Sequence, residues 1–545
     1  MKASDVSIRI TSSPSICSSW SPNLRLALVV LSIGVASHFM LFLDSVMDNL
    51  LPAAWPYLMT VYNTKEDADV AWGIMVSSRI YGLAFGCFAS IFLSRRHDHK
   101  FPVMLGSVLD LIGILLTLFT VNVKFGMVAA TIGRFINGCG QGIVQTSGSV
   151  MLTELPPQKR GIALATLTVW ACLGELAGMV ISLEELLGRP STWHMAMGFP
   201  LIFLIPALCV LARAPQSPRF LILENREEEA RKSMLFYQVV EKIDENGNAR
   251  KEEKLVPAEP QLSTLAMAKE RFKSGQFVRP LFLALFVQSF VHLDDWLWIS
   301  YSTHIFGKYG MPSGMAQRAS LLMSLPQAVI SIGLLACFES FSRRFLLLVP
   351  TIMSVFIGIF AILAINFGSV SLGLPLGATL AILASMDLSA AAVCGESAYT
   401  IVPELFLPND KILGTAIVGI AQNVFGGIVT AILLTAVNKL GTALVLLPFI
   451  TVNIFYVAIN YMYLPETGKK TALEVSQQFS ETLPGKALCS SVRQFFHRIW
   501  KEFSISTNIP FQAFVVIAQL FGIFLTFQAA IHLFWAVTCY LGNCY

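Results

Sequence analysis

Charge is what this 545-residue chain has least of: 13% of its residues are Asp, Glu, Lys or Arg, against 55% hydrophobic. A soluble globular chain carries about 25% charged residues. The deficit excludes an ordinary water-soluble domain, and a mean hydropathy of +0.65 points the same way. A phosphate-cradling G-x-x-x-x-G-K-[ST] loop is missing, which leaves transport or catalysis driven by ATP without support. The ten cysteines are scattered without a C-x-x-C or other metal-ligand spacing, so neither a metal nor a cofactor is expected. Inside apolar runs they read as small apolar residues; Cys539 and Cys544, near the chain end, are the exceptions. No N-x-[ST] sequon falls on an expected external loop. A cleavable leader is not expected either: the first 23 residues are polar and Ser-rich, and the apolar run that follows is too long for the core of a signal peptide. The net charge of +4 is a sum over dispersed sites, and no nucleic-acid partner or enzymatic activity is expected.

What the chain does have is long apolar runs. A membrane helix needs about 20 such residues. Runs of that length fall at about 24–50, 71–93, 101–122, 126–152, 162–183, 194–212, 280–303, 318–338, 345–366, 372–400, 412–437 and 441–464, and a thirteenth at 510–541. The chain is therefore expected to be a multi-pass, all-α membrane protein. Lys and Arg mark cytoplasmic loops. The basic loops are Arg95-Arg96 with Lys100, Lys159-Arg160, Arg343-Arg344, Lys411 and Lys469-Lys470. The intervening loops are acidic or uncharged. This alternation places the N-terminus, residues 213–279 and residues 465–508 in the cytoplasm. The organisation expected is a tail (1–23), six spans (24–212), a linker with short helices (213–279), six more spans (280–464), a cytoplasmic segment (465–508) and an extra transmembrane or re-entrant helix (509–541).

The two sets of six spans repeat. Asp44 recurs as Asp294, Glu154 as Glu404, and Pro215 as Pro465, all 250 residues apart. Ser94-Arg95-Arg96 and Ser342-Arg343-Arg344 recur at 248. Half-chain repeats of this kind build many secondary transporters, whose solute site lies at the midplane between the halves.

Several motifs occur in order on this frame. They are Gly133-Arg134, Glu154, Arg160-Gly161, Pro215-Gln216-Ser217-Pro218-Arg219-Phe220-Leu221, Tyr301-Ser302-Thr303-His304-Ile305-Phe306, Glu339 through Arg344, Pro403-Glu404-Leu405-Phe406 with Lys411, and Pro465-Glu466-Thr467. In these the chain resembles the major facilitator superfamily, and within it the sugar porters, over about residues 24–475. The resemblance implies two pseudo-symmetric six-helix bundles that rock around a central site. It also implies a small-molecule substrate, a sugar or polyol. Departures are concentrated where that family contacts sugar. Thr168 replaces a glutamine. Gln288-Ser289 through Asp294 replaces Q-Q-x-x-G-x-N. Glu396 and Tyr399 stand in the G-P-x-P-W region, and Gln422-Asn423 at N-W. The first-half loop has Ser94 and His97 for the family's Asp and Gly.

The candidate solute-binding residues are thus Thr168, Gln288, Ser289, His292, Asp294, Trp296, Glu396, Tyr399, Gln422 and Asn423. Trp296 and Trp298 equally suit an interfacial aromatic belt. Asp44 and Arg134 are the candidate proton-coupling pair, because a buried carboxyl that alternates between an arginine and a proton can link the two fluxes; a static ion pair is the alternative. Arg95, Arg96, Glu154, Arg160, Glu339, Arg343, Arg344, Glu404 and Lys411 form the expected cytoplasmic gating network. Arg79, Asp110, Glu175 and Asp387 are further ionisable groups inside spans. Acidic residues of span 7 also fit an organic cation as cargo, and the altered loop and extra span fit a receptor that kept the fold. The plasma membrane is the expected location, and residues 509–541 offer a docking site for a protein partner.

Overall fold

The computed structural model describes residues 22–46, 50–96, 98–119, 126–155, 157–237, 269–272, 275–367, 375–468, 470 and 474–475. The side chains of Arg95 and Arg96 and the expected thirteenth span lie outside the described residues. Among the described residues the secondary structure is entirely helical.

In the first half the helices are α1 (Pro22–Gly34) and α2 (Met40–Val46), joined by a π turn at Val35–Phe39, then α3 (Leu51–Val61), α4 (Lys65–Arg96), α5 (Lys100–Leu118), α6 (Gly126–Leu152), α7 (Pro157–Ile181), α8 (Trp193–Gly198) and α9 (Leu201–Arg213). Two short linker helices follow, α10 (Pro218–Leu223) and α11 (Glu227–Phe236). The second half holds α12 (Gly275–Ser289), α13 (Asp295–Lys308), α14 (Ser313–Leu335), α15 (Arg343–Phe367), α16 (Leu376–Glu404), α17 (Lys411–Leu440) and α18 (Thr442–Tyr463). Among the described residues, ten helical stretches are long and apolar enough to cross a membrane. Glycine-rich α6 and the α12–α13 pair take the fourth and seventh places in the order. Large apolar side chains such as Ile202, Phe282, Phe356 and Phe455 stay exposed. They are the surface a bilayer covers, since lipid chains are as apolar as they are.

Three expected spans are corrected. The first does not run unbroken to residue 50. It widens into the π turn, where the Ser37 hydroxyl donates to the Ile33 carbonyl at 2.6 Å, and such back-bonding loosens a helix. The span ends at Val46, and the expected loop after it contains α3. The third span stops at Leu118 rather than 122. The seventh is split: helix ends at Ser289 and resumes at Asp295, and His292 between them has a left-handed φ of 41°.

Close helix crossings organise the first half. A Cβ on Gly138 would run into the backbone carbonyl of Arg79, and one on Gly142 into that of Leu83. Only glycine lets α4 and α6 approach so closely, a packing mode common in membranes. The halves meet where α4 packs on α17 and α7 packs on α14 and α16. The candidate centre lies along that seam.

Candidate functional site

Asp44 ends up inside the first half, 3% exposed, near the last turn of α2. Its carboxylate accepts from the Asn137 amide at 3.0 Å and from the Gln141 amide. Arg134 lies alongside, with Nη1 4.0 Å from Asp44 Oδ1. Asn137 also donates to Asp110 Oδ1 at 2.6 Å, and Arg79 Nη1 donates to Gln141 Oε1 at 3.3 Å. The first half therefore buries two acids and two arginines in one network, balanced in charge. The sequence order offered Asp44 and Arg134. It did not reveal Asn137 and Gln141, although both stand on the face of α6 that carries Arg134.

The matching position in the second half is built differently. Asp294 is 4% exposed; its Oδ2 accepts from the Ser354 hydroxyl at 3.0 Å and from the Asn453 amide at 3.3 Å. Ser354 Oγ also lies 2.5 Å from Asp387 Oδ1, so its single proton serves one of the two carboxyl groups at a time, and Trp298 Nε1 donates to Asp387 Oδ2 at 3.1 Å. Trp298 is 2% exposed, so it belongs to this core and not to an interfacial belt. His292 Nδ1 lies 3.8 Å from Asp294 Oδ1.

Between the halves, polar side chains from both sides converge. Thr168 of α7 faces Gly395 of α16: a Cβ there would sit 3.3 Å from the Thr168 methyl. Tyr399 lies near Gln422 and packs edge-on against His38 at 4.6 Å between ring centroids. His38 was not among the sequence candidates. It sits in the π turn and is fully buried. The charges of Glu175, Asp295 and Glu396 all bear on Cys172, so the three acids lie in one region of the molecule. Glu175 accepts from Ser324 at 3.0 Å and Gln327 at 2.7 Å, both across the seam. Both Glu396 oxygens, both Gln288 amide atoms and the Thr168 hydroxyl have no hydrogen-bond partner among the described residues. Ser289 is buried, and Trp296 packs beside Gly426 of α17. The Asn423 amide reaches Cys87 of α4 at 3.8 Å, at the contact between helices.

At the end expected to face the cytoplasm, Arg160 of the first half pairs with Glu404 of the second, Nε to Oε1 3.3 Å, with side chains 9% and 4% exposed. Arg160 also donates to the Lys470 carbonyl at 2.9 Å. Lys411 is buried and acts electrostatically on Glu404. Arg343 holds Glu339 at 2.8 Å and stacks over Phe338 at 4.1 Å. The backbone N–H groups of Arg343 and Arg344 both donate to Glu466, at 3.0 and 3.4 Å. Gly161 lies directly against the Glu339 carboxylate and the Arg343 guanidinium, where no side chain fits. Glu154 does not reach the other half: its partner is His99 of its own half, at 3.6 Å. Sequence reading also missed a pair at this end, Arg271 with Asp410 at 2.9 Å.

Two six-helix bundles, a polar centre on their seam and a ring of ion pairs at one end define a major facilitator transporter. Solved structures agree in fold. The proton:xylose symporter XylE of E. coli, bound to 6-bromo-6-deoxy-D-glucose, superposes with a TM-score of 0.68 at 16% identity, covering 84% of this chain and 100% of that one. The E. coli fucose:proton symporter FucP, in the outward conformation, gives 0.52 at 14% identity over 81% and 99%. Residues 28–479 match the family described as "Sugar (and other) transporter", and the chain belongs to it. Among curated relatives, facilitated glucose transporter member 9 of solute carrier family 2 from Mus musculus is 25% identical, over 85% of this chain and 86% of that protein. Member 1 from Gallus gallus is 22% identical over 80% and 88%. The protein is thus a multi-pass membrane transporter of a small molecule, and not an enzyme.

Proposed function

We propose that the chain carries a sugar or polyol across the membrane by alternating access. The observation that carries this reading is a set of buried polar atoms left unmatched among the described residues: the Thr168 hydroxyl, the Gln288 amide and the Glu396 carboxyl. Buried polar groups are almost always hydrogen-bonded, and a polyhydroxylated solute brings donors and acceptors at the right density. Tyr399 and Gln422, which lie near each other, add a ring and an amide to the candidate set. The sugar-named relatives support the same class. On this reading Arg160–Glu404 and the Arg343–Glu339–Glu466 group form the cytoplasmic gate, and the plasma membrane is the site of action.

Transport is proton-coupled in this proposal, with Asp44 as the coupling group and Arg134 as its counter-charge. Uptake of a labelled panel of hexoses, pentoses and polyols into proteoliposomes, with and without a pH gradient, tests both parts. Saturable sugar uptake stimulated by inside-alkaline pH, and losing that stimulation in Asp44→Asn, is the expected result. Sugar uptake indifferent to the gradient and to Asp44→Asn would remove the proton. No uptake of any sugar or polyol would remove the substrate class.

A second reading keeps one observation of its own. Asp295 and Glu396 each bury carboxyl oxygen without a hydrogen-bond partner, and no Lys or Arg bonds to either among the described residues. Such a centre attracts an organic cation. Competition of sugar uptake by small quaternary amines, abolished in Glu396→Gln, would favour it.

A further inference from the structure

The two halves repeat in sequence but not in charge. In the first half, Asp44 and Asp110 share their core with Arg134 and Arg79. At the 250-residue offset Arg134 is answered by Ala384, and at the 248-residue offset of the second spans Arg79 is answered by Gln327. Both cations are gone. The acids have multiplied: Asn137 is answered by Asp387, and Ser45 by Asp295, while Asp294 keeps the place of Asp44. Three aspartates stand where the first half has two acids and two arginines, and among the described residues no Lys or Arg bonds to any of them. A buried carboxylate without a counter-charge costs several kcal/mol, and the cluster is relieved of that cost by taking up protons or by binding a cation that displaces them.

From this we propose that the break between α12 and α13 binds one divalent metal ion through His292, Asp294 and Asp295. One ligand atom from each of the three lies within 4.8 Å of the others. Three ligands of one such ion, at bonds of about 2.1 Å, stand about 3–3.6 Å from one another, so the set has to close by about an ångström on the ion. His292 is the independent sign of a ligand. It is 2% exposed, neither ring nitrogen has a hydrogen-bond partner among the described residues, and Nδ1 lies 3.8 Å from Asp294 Oδ1. The oxygens of Asp294 divide the work. Ser354 and Asn453 hold Oδ2, and Oδ1 remains without a hydrogen bond. That is how outer-shell donors orient a ligating carboxylate. One nitrogen and two carboxylate donors suit Zn²⁺ or Mn²⁺ better than Na⁺ or Mg²⁺, which prefer all-oxygen sites. Ions in transporters also settle where a spanning helix is interrupted, and this interruption is the one that carries the three residues. Asp295 is only partly buried, which leaves the ion a way in.

The test uses the purified full-length chain in detergent, stripped with a chelator. Mn²⁺ is titrated in, the free ion is followed by its electron paramagnetic resonance signal, and Zn²⁺ is added as competitor. One Mn²⁺ per chain, displaced by Zn²⁺, is expected, with affinity falling at least tenfold in Asp295→Asn and in His292→Gln. Asp295→Asn is isosteric and partly exposed, so it decides the matter if the histidine variant does not fold; a size-exclusion profile checks each. Absence of saturable Mn²⁺ binding, or binding that survives Asp295→Asn, overturns the proposal. The readout is metal binding and not uptake, so the sugar assignment stands or falls separately.

Discussion

At the scale of single residues, the informative ones are charges that the fold hides. Arg160 and Glu404 form the clearest case, a buried pair joining the halves. Removing one partner of such a pair strands the other charge, at about 3–5 kcal/mol, while removing both costs far less. Arg160→Ala and Glu404→Ala are each expected to lower thermal stability in detergent, and the double variant to recover most of the loss. Equal, additive losses in a double-mutant cycle would show that the two charges do not interact. Asp98 offers a second case, outside the spans. It is 3% exposed and accepts from the Ser217 N–H at 3.1 Å. Burial raises its pKa above the ordinary carboxylate value; the Ser217 bond opposes this, and the Glu154 charge adds to it. A raised folded-state pKa means that the native form holds the proton more tightly. Its contribution is present below the unfolded value of about 4 and is lost as pH rises through the folded value. Asp98→Asn, which keeps an oxygen for Ser217, should therefore melt higher than the parent at pH 7 and alike at pH 3.5. A variant that melts lower at pH 7 contradicts this account. The chemistry of Asp98 was not legible in the sequence, because its burial under the Pro215–Pro218 segment is a contact across about 120 residues of chain.

At the scale of elements, helix lengths and order could be read from apolar runs, because a bilayer imposes one length on every span. Glycines in α6 could also be read as contact surface, and the structure places Gly138 and Gly142 against the backbone of α4. Gly138→Ala is expected to weaken that crossing by about 1–3 kcal/mol of overpacking, and Gly138→Leu to abolish folded protein on size exclusion. Wild-type stability in the leucine variant would mean that α4 can back away. The interruptions in spans 1 and 7 were not legible. Neither contains a proline at its break, and the hydrophobic run continues across both. What interrupts them is side-chain bonding: Ser37 back onto Ile33, and Asp294 drawn away to Ser354 and Asn453 on two other helices. The repeat matches Asp294 to Asp44 in sequence, and both are buried. It said nothing about partners, which differ because the neighbouring helices diverged.

At the scale of the whole molecule, the two ends of the seam are fastened unequally. The end expected to face the cytoplasm has the buried Arg160–Glu404 pair, with Gly161 fitted against Glu339 and Arg343. At the other end, Arg318 of the second half reaches Glu185 of the first at 2.9 Å, with both side chains well exposed, 40% and 58%. An exposed pair is worth roughly 0–1 kcal/mol and fades with salt; a buried one holds much more firmly when one partner is removed. A rocking transporter needs the difference between its two states to be small, so that bound solute can decide it. The inner fastening is therefore the one that sets the resting state. Neutralising it in Glu404→Gln should shift the population toward a form open to the cytoplasm, whereas Glu185→Gln should leave the balance nearly unchanged. A cysteine placed at Thr168, on the seam, reports the shift through its reaction with a thiol reagent applied from the cytoplasmic side of oriented vesicles, measured against the chain with its native cysteines alone. A factor of ten in equilibrium corresponds to about 1.4 kcal/mol, so a severalfold rise in labelling for Glu404→Gln lies within reach of one weakened pair. Labelling that rises equally in Glu185→Gln, or not at all in Glu404→Gln, would place the controlling contact elsewhere in the seam, and the Arg343–Glu339–Glu466 group would be the next to neutralise.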